Sequence, residues 1–458
     1  MVEWIASYME RAGDYPVRSQ VEPGEIFGAL PSEAPESGEG WDEIFADLER
    51  VVTPGLTHWQ SPRFFGYFPA SASGPAILGE MLSAGLGVQG MLWSTSPACT
   101  EIETRVLDWL GRLIGLPEAF LSESERGGGV IQGTASEAAL VAMVAARQRA
   151  LAGGRDGELV AYCSSQAHSS IVKAAMVSGV GRENVRLIDV DERLRLNPVA
   201  LAEAIGLDAA SGRVPFFVAA TLGTTSSGAV DPLAEVSEIS AAAGAWLHVD
   251  AAWAGSALVL PEARWMIEGV AGADSFNFNP HKWMLTNFDC SALWTRDARA
   301  IIDALSITPE YLRNAPSESG GVIDYRDWQI PLGRRFRALK LWFVLRAFGA
   351  EGVRAHIRRG IAHAELFESL VRESDVFEMA CERSLALVCF AHTSGDAPTR
   401  AAMEAVNDSG EAFFTHTTLP GNDGGERFVI RFASGSAQTG EADVRRAFTA
   451  LERAARGG

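Results

Sequence analysis

Short apolar runs alternate with longer alanine-rich stretches between residue 127 and about residue 295. The runs have the length of buried strands, and the stretches between them have the length of helices. Strand–helix alternation is typical of a mostly parallel sheet that helices cover on both faces. The pattern therefore predicts an α/β fold with strands at residues 129–131, 158–162, 185–187, 216–222, 245–249 and 275–278.

The flanking segments have different patterns. In the first 70 residues, turns rich in proline and glycine separate short helices, and Trp41, Ile44, Phe45 and Leu48 form an apolar stripe on a helix at 41–52. Further helices are predicted at 75–115 and 334–348. After about residue 350 a helix, strands at 385–390 and 427–432, and a closing helix at 440–456 indicate a smaller α+β domain. We therefore predict an N-terminal helical segment, a large domain and a small C-terminal α+β domain, at residues 1–73, 74–345 and 346–458.

Charge and cysteine content exclude several classes of protein. The 458 residues carry a net charge of −19, which argues against a nucleic-acid partner. No apolar run is long enough for a membrane span, and the first residues do not resemble a signal peptide. The five cysteines are scattered without Cys-x-x-Cys spacing, which fits reduced thiols better than disulfides or zinc. We expect a cytoplasmic protein without a metal, a membrane partner or a nucleic-acid partner.

A lysine among apolar residues follows the last of the predicted strands. Lys282 lies between Phe278 and Trp283, a setting that disfavours the ammonium form and favours the nucleophilic amine. Another strand ends at Asp250, where open α/β sheets place their ligands. Protein-bound pyridoxal phosphate requires a lysine for the Schiff base and a carboxylate for its ring nitrogen. Each residue alone also fits an ordinary role, as a surface lysine or a helix cap.

A glycine-rich segment at 127–133 joins a strand to a helix that begins at about Ser136. The N–H groups at such a helix start suit a cofactor phosphate. The segment is not a Walker A loop, and Gly133 falls one residue late for the Gly-x-Gly-x-x-Gly pattern of dinucleotide sites. The alternative is an ordinary turn in which Ser136 caps the helix.

Polar and aromatic residues supply further candidates, each with a structural alternative. His168 could stack on a ring or hold a carboxylate, and Thr224 and Thr225 could donate to a ring oxygen, but all three also fit turns. Tyr311 lies in the polar segment 306–327, which reads either as a mobile lid or as a surface loop. An aromatic cluster fits either core packing or the walls of a pocket for a flat apolar substrate; it comprises Trp59, Phe64, Phe65, Tyr67 and Phe68.

Several motifs, in order, carry a family resemblance. They include Gln166-Ala167-His168-Ser169-Ser170 and Phe278-Asn279-Pro280-His281-Lys282-Trp283, together with segments at 21–24, 57–59, 96–101, 247–252, 324–326 and 331–336. The chain resembles the pyridoxal-phosphate-dependent group II decarboxylases almost end to end, and most closely the aromatic-L-amino-acid decarboxylases. The resemblance implies an aspartate-aminotransferase-like type I fold. It also implies a homodimer, formed in part by residues 1–73, with active sites at the interface.

The resemblance also implies individual roles. Lys282 would form the Schiff base with pyridoxal 5'-phosphate, Asp250 would hold the ring nitrogen, His168 would stack on the ring, and Tyr311 would be the lid tyrosine of decarboxylation. The other cofactor-binding positions would be Ala135, Ser136, Thr225, Asn279 and His281. The substrate pocket would comprise Trp59, Tyr67, Phe68, Pro69, Ala70, Gln89, Met91, Trp93 and Gly333.

Departures from the family pattern bear on the substrate. Ala70 stands where animal dihydroxyphenylalanine decarboxylases have threonine, and Gln89 and Met91 stand where they have isoleucine and phenylalanine. Gly333 matches a position where related plant enzymes with glycine tend to accept indoles. We predict decarboxylation of an aromatic L-amino acid, with tryptophan preferred over tyrosine, phenylalanine and dihydroxyphenylalanine. Tyr311 argues against an aldehyde synthase, and the full set of residues argues against a catalytically silent binding protein.

Overall fold

The computed structural model describes residues 1–307, 312, 314–318, 321–421 and 425–457. It contains two compact units. The first joins Met1–Pro69 to Gly360–Gly458, and the second spans Ala70–Arg359. The division of the chain into successive domains at 1–73, 74–345 and 346–458 stays a prediction.

The helices and strands are numbered in chain order. The helices are α1 Val2–Arg11, α2 Glu25–Ala29, α3 Trp41–Asp47, α4 Gly74–Leu86, α5 Pro97–Ile114, α6 Ala135–Ala152, α7 Ser170–Val177, α8 Pro198–Ala210, α9 Leu233–Ala243, α10 Pro280–Trp283, α11 Ala298–Leu305, α12 Ala315–Glu318, α13 Ala338–Glu373, α14 Asp396–Ser409 and α15 Glu441–Ala455. The strands are β1 Gly128–Gln132, β2 Leu159–Ser164, β3 Val185–Ile188, β4 Val214–Thr221, β5 Trp246–Asp250, β6 Ser275–Phe278, β7 Ser291–Thr295, β8 Phe377–Met379, β9 Leu387–His392, β10 Thr415–Pro420 and β11 Glu426–Ala433.

A seven-stranded sheet forms the centre of the second unit, in the order β1-β7-β6-β5-β4-β2-β3. Strands β3, β2, β4, β5 and β6 pair in parallel, whereas β7 is antiparallel to both β6 and β1. Every residue of β4 is buried, as expected where helices cover both faces of a parallel sheet. The predicted mostly parallel sheet is therefore confirmed, and its six predicted strands are all present within a few residues of the expected bounds.

Two differences between the observed and the predicted helix starts bear on the candidate site. The helix predicted at 334–348 begins only at Ala338, because Arg334 is drawn into a buried ion pair described below. The helix predicted to begin at Ser136 begins at Ala135, and Thr134 is the cap whose hydroxyl accepts a hydrogen bond from Glu137 N at 3.3 Å. Helix α13 is interrupted at Gly349, whose φ of 62° favours glycine.

The carboxyl ends of the parallel strands lie at one edge of the sheet. Strands β2, β4, β5 and β6 are adjacent members of the sheet, and each leads at this edge into a segment that carries a candidate residue. Strand β1 is antiparallel to β7, which is antiparallel to β6, so the loop from β1 to α6 leaves the sheet at the same edge. The sheet thus places the candidate cofactor-binding residues at the same edge.

The first unit contains an antiparallel sheet in the order β10-β11-β9-β8. Its apolar face packs against helices through a core that includes Phe367, Phe390, Phe432 and Phe448. The N-terminal segment belongs to this unit because Phe65 is part of the same core. Strands β8 and β10 were not among the sequence predictions.

The helix predicted at 41–52 is α3, followed by a wider helical turn at Leu48–Val52. Its predicted apolar stripe faces outward, with Trp41 69% exposed and Ile44 45% exposed. Among the described helices, none is both long and apolar enough to cross a bilayer.

Candidate active site

Lys282 lies on the short helix α10, directly after β6. Asn279 precedes the helix, Pro280 occupies its first turn, and Lys282 N donates to Asn279 O at 3.0 Å. Trp283 and Met284 on its C-terminal side are buried, and Phe278 before it is buried too. The expected apolar setting of the lysine is therefore present.

Asp250 ends β5 and is only 4% exposed. One of its carboxylate oxygens, Oδ1, accepts a hydrogen bond from Ala252 N at 3.0 Å, which fixes the side chain at the strand end. Its neighbours across the sheet are Thr221 on β4 and Asn277 on β6. The remaining carboxylate oxygen can serve a protonated ring nitrogen.

His168 connects the lysine and the aspartate electrostatically. Partial burial lowers the pKa of His168, Asp250 opposes that shift, and Lys282 adds to it. Both charges therefore act on one imidazole. The Nδ1 atom accepts a hydrogen bond from Ser170 N at 3.1 Å, so the proton of the neutral ring lies on Nε2. The residue is exposed, which is compatible with stacking on a ligand ring.

The loop from β1 to α6 has the form expected of a phosphate site. Because Thr134 caps α6, the alternative role of Ser136 as the cap is wrong, and its hydroxyl is exposed at the helix start. Gly133 N donates to Glu137 Oε2 at 2.8 Å, which closes the turn. The donor set of this helix start, with Lys282, Asp250 and His168 at the same sheet edge, fits pyridoxal phosphate.

Thr224 and Thr225 lie in the turn after β4 and have different environments, although the sequence pattern assigned the same candidate roles to both. Thr224 is buried, and its Oγ1 lies 3.0 Å from Ser227 Oγ and accepts from Ala229 N at 3.1 Å. Thr224 therefore has the turn role. Thr225 is partly exposed, so its hydroxyl is the one available to a ligand.

His281 is held by the segment that leads into β7. Its Nδ1 accepts a hydrogen bond from Cys290 N at 2.8 Å, and burial lowers the pKa of His281 to about 3. The ring is therefore neutral at physiological pH. Its assignment to the cofactor stays a prediction, as does that of Asn279, which is buried beside it.

The substrate-pocket candidates are divided between the two units. Trp59, Tyr67, Phe68 and Pro69 belong to the first unit, where the Trp59 and Tyr67 rings stack with centroids 5.5 Å apart. In the second unit, Gln89 Oε1 accepts from Arg334 N at 2.9 Å, which places Gln89 beside Gly333. The other second-unit candidates are Ala70, Met91 and Trp93.

Tyr311 lies outside the described residues. Of the predicted lid at 306–327, the described C-terminal end is a buried turn in which Tyr325 Oη lies 2.9 Å from Thr104 Oγ1. Ser317 Oγ donates to Asp324 Oδ2 at 2.5 Å. Residues 324–327, which the sequence included in the predicted mobile lid, therefore form a buried turn instead.

Sequence reasoning missed a buried ion pair between Arg334 and Glu103, whose side chains are both fully buried. Glu103 Oε1 also accepts from Ile131 N at 2.7 Å, and Arg334 Nη2 donates to Ile131 O at 3.0 Å. Burial raises the pKa of Glu103, and Arg334 opposes the shift. The pair ties β1 to the segment that carries Gly333. The one signal was an acidic residue on the apolar stripe of α5, between Cys99 and Val106.

A lysine, a carboxylate and a helix N-terminus lie at the carboxyl edge of this sheet, an arrangement that fits a pyridoxal-phosphate enzyme of the aspartate-aminotransferase-like fold. Residues 23–393 match the pyridoxal-dependent decarboxylase conserved domain. The chain belongs to this family and is a pyridoxal-phosphate-dependent carboxy-lyase.

Similar proteins agree with this assignment. The chain is 47% identical to tryptophan decarboxylase 2 of Oryza sativa subsp. japonica, over 98% of this chain and 92% of that protein. It is also 47% identical to phenylacetaldehyde synthase of Arabidopsis thaliana, over 99% of this chain and 94% of that protein. The crystal structure of Oryza sativa TDC with PLP and tryptamine superposes with a TM-score of 0.96 at 41% identity, covering 99% of this chain and 96% of that one.

Proposed function

We propose that the protein converts an aromatic L-amino acid to the arylalkylamine and CO₂, with L-tryptophan as the best substrate. The observation that carries the proposal is that Asp250 ends β5 while Lys282 directly follows the adjacent parallel strand β6, so both lie at one edge of the sheet. Relatives named for tryptophan and tyrosine decarboxylation support the aromatic substrate class.

Each residue has a role in this reaction. When bound, pyridoxal phosphate supplies the electron sink that accepts the electron pair of the breaking bond to the carboxylate. Lys282 would hold the cofactor through its amine. Asp250 keeps a proton on the ring nitrogen, and the start of α6 with Ser136 binds the phosphate. His168 covers the ring, and Tyr311 delivers a proton to the substrate Cα.

Gly333 offers a test of the preference for tryptophan. A Cβ at this position would lie 3.6 Å from Gln89 Oε1, which is an ordinary contact, so Gly333→Ser fits without strain. We expect this variant to lose tryptophan turnover relative to tyrosine turnover. The assay is amine release from tryptophan, tyrosine, phenylalanine and dihydroxyphenylalanine by both proteins. Equal ratios of kcat/KM in the two proteins would remove Gly333 from the specificity determinants.

The competing function is that of an aldehyde synthase, since one relative of equal identity carries that name. Tyr311 favours the decarboxylase, because its hydroxyl can protonate the carbanion before oxygen reacts with it. We expect wild-type protein to release amine without peroxide, and Tyr311→Phe to release aldehyde, ammonia and peroxide. Peroxide release by the wild-type protein at the rate of CO₂ release would establish the synthase instead.

A homodimer is the next part of the proposal, and the apolar surface of helix α4 supports it. In the second unit, Leu78, Met81, Leu82 and Leu86 form an exposed stripe on α4 opposite its buried face. Gln89 and Met91, which the resemblance assigns to a substrate pocket at the subunit interface, follow α4 in the sequence. A second copy of the chain is the occupant that fits both observations.

A cytoplasmic location is the other part of the proposal. All five cysteines are free thiols, which suits a reducing compartment. Fractionation of the native host cell, with detection of the protein by antibody, would test this location.

A further inference from the structure

Two of the free thiols lie side by side in the first unit. Cys389 is on β9, and its carbonyl accepts a hydrogen bond from Ala380 N at 2.9 Å, where the chain continues beyond β8. The chain bends at Ala380 and Cys381 after β8, and the Cys381 and Cys389 side chains are in hydrogen-bonding contact. Cys389 is buried and Cys381 is partly exposed, so a small solute can reach the pair from one side.

A buried guanidinium adjoins the pair. Arg431 on β11 is the register partner of Cys389, so both side chains project from the sheet face opposite to that of Phe390 and Phe432. The hydrogen bond from Cys381, together with Arg431, lowers the pKa of Cys389 despite its burial. The same hydrogen bond raises the pKa of Cys381. Cys389 is therefore the more acidic thiol of the pair, and Cys381 donates the hydrogen bond.

The other thiols lack such an environment. Burial raises the pKa of Cys99, Cys163 and Cys290 to about 12 in each case. Since the thiolate is the form that reacts with oxidants, these three are expected to be inert. The Cys381–Cys389 pair differs from them in the lowered pKa of Cys389 and in the contact between its two thiols.

We propose that Cys381 and Cys389 are a redox pair that hydrogen peroxide converts reversibly to a disulfide. The Cys389 thiolate attacks one peroxide oxygen, the O–O bond breaks, and the second oxygen leaves as water after taking a proton. The resulting sulfenic acid reacts with Cys381: the S–S bond forms, and the hydroxyl group leaves as water with the Cys381 proton. The two sulfurs lose two electrons and the peroxide gains them. A dithiol such as dithiothreitol reverses the reaction by thiol–disulfide exchange.

Oxidation would change the surroundings of Arg431. Its Nη1 donates to Tyr67 O and Thr415 Oγ1, each at 3.2 Å, and its guanidinium lies over the Phe68 ring at 4.9 Å. Its Nε and Nη2 have no hydrogen-bond partner among the described residues. A disulfide sulfur cannot ionise, so this buried cation loses a neighbour that can carry a negative charge. Because Tyr67 and Phe68 are proposed substrate-pocket residues, this consequence rests on the proposed function, and we expect oxidation to raise KM.

The first experiment detects the disulfide without reference to activity. Purified holoenzyme is treated with hydrogen peroxide, remaining thiols are alkylated, and the protein is digested with trypsin. The cut at Arg383 separates the two cysteines, so the disulfide joins peptide 373–383 to peptide 384–400. We expect this joined pair in wild-type protein and its disappearance after dithiothreitol. Complete alkylation of both cysteines after peroxide, or sulfonic acid on either without the joined pair, would overturn the proposal.

The second experiment uses variants to test the consequence. Cys381→Ser removes the partly exposed thiol and should abolish both the joined peptides and the change in KM, whereas Cys163→Ala, a buried thiol without the pair's features, should retain both. We expect KM for the aromatic amino acid to rise severalfold on oxidation, with recovery in dithiothreitol. An unchanged KM in protein shown to contain the disulfide would overturn the link through Arg431. A protein that forms the disulfide but decarboxylates no aromatic amino acid would refute the proposed function alone.

Discussion

Burial differs among the candidate catalytic residues. Asp250 is nearly inaccessible at its strand end, and partial burial lowers the pKa of His168 below its ordinary value. The two residues that the sequence singles out most clearly, Lys282 and Asp250, follow strands whose apolar runs are visible in the sequence. Glu103 and Arg334 could not be paired in the same way, because a charge on an apolar stripe does not reveal its partner 231 residues away.

Lys282→Ala should abolish turnover and the visible absorbance of the lysine-bound cofactor. The chain contains only two other lysines, Lys173 and Lys340, and neither lies on the segment after β6. Arginine cannot replace the amine because it stays protonated. Lys173→Ala, on α7, is the matched control and should retain activity. Amine release and absorbance spectra measure the outcome; near-native amine release by Lys282→Ala would refute the assignment.

Asp250→Asn should fold but turn over slowly. The amide cannot stabilise a protonated ring nitrogen, and removal of one preorganised electrostatic partner commonly costs about 10² to 10³ in rate. Circular dichroism checks folding, and kcat is measured at saturating substrate. Activity within about threefold of wild type would show that Asp250 is not the partner of the ring nitrogen.

The segments that connect helices and strands fix the positions of the candidate site residues. Segment 331–337 leads into α13 and is fixed to α5 and β1 by Arg334, Glu103 and the backbone of Ile131. The sequence pattern places the helix start at 334 because it shows only local periodicity. In the structure, Arg334 forms this ion pair and lies before the start of α13. The sequence pattern also missed strands β8 and β10. Strand β8 has only three residues, and β10 is mostly polar, so neither contains an apolar run that would indicate a strand.

Glu103→Gln should lower the stability of the second unit substantially. The amide leaves the Arg334 guanidinium buried without its counter-charge, a change that typically costs about 3–5 kcal/mol. Glu123→Gln is the matched control, because Glu123 is exposed and pairs with Arg105 and Arg112 at the surface. Loss of such surface pairs costs about 0–1 kcal/mol. Urea denaturation of both variants provides the comparison, and equal midpoints would mean that the buried pair does not stabilise the fold.

At the scale of the whole molecule, the N-terminal and C-terminal segments form one unit around a shared core. A sequence pattern reports periodicity over neighbouring residues, so it could not show that Phe65 packs with Phe414 and Phe432, more than 300 positions later. The fold class was nevertheless predictable, because strand–helix alternation determines which layers can form. The exposed apolar stripes remain unexplained within one chain and concern its assembly.

The last prediction concerns the stripe on α3. Trp41→Glu with Ile44→Glu should convert the proposed dimer to monomer, because two charges would be placed in an apolar contact with a second chain. Both side chains are largely exposed in a single chain, so the fold should be retained. Trp265→Glu is the matched control, since Trp265 is 60% exposed on a turn of the second unit. Sedimentation velocity measures the assembly, and amine release at several protein concentrations measures its consequence. If active sites are shared between subunits, specific activity of the double variant should rise with concentration. A double variant that sediments as the wild type does, with the same specific activity at every concentration, would exclude α3 from the interface.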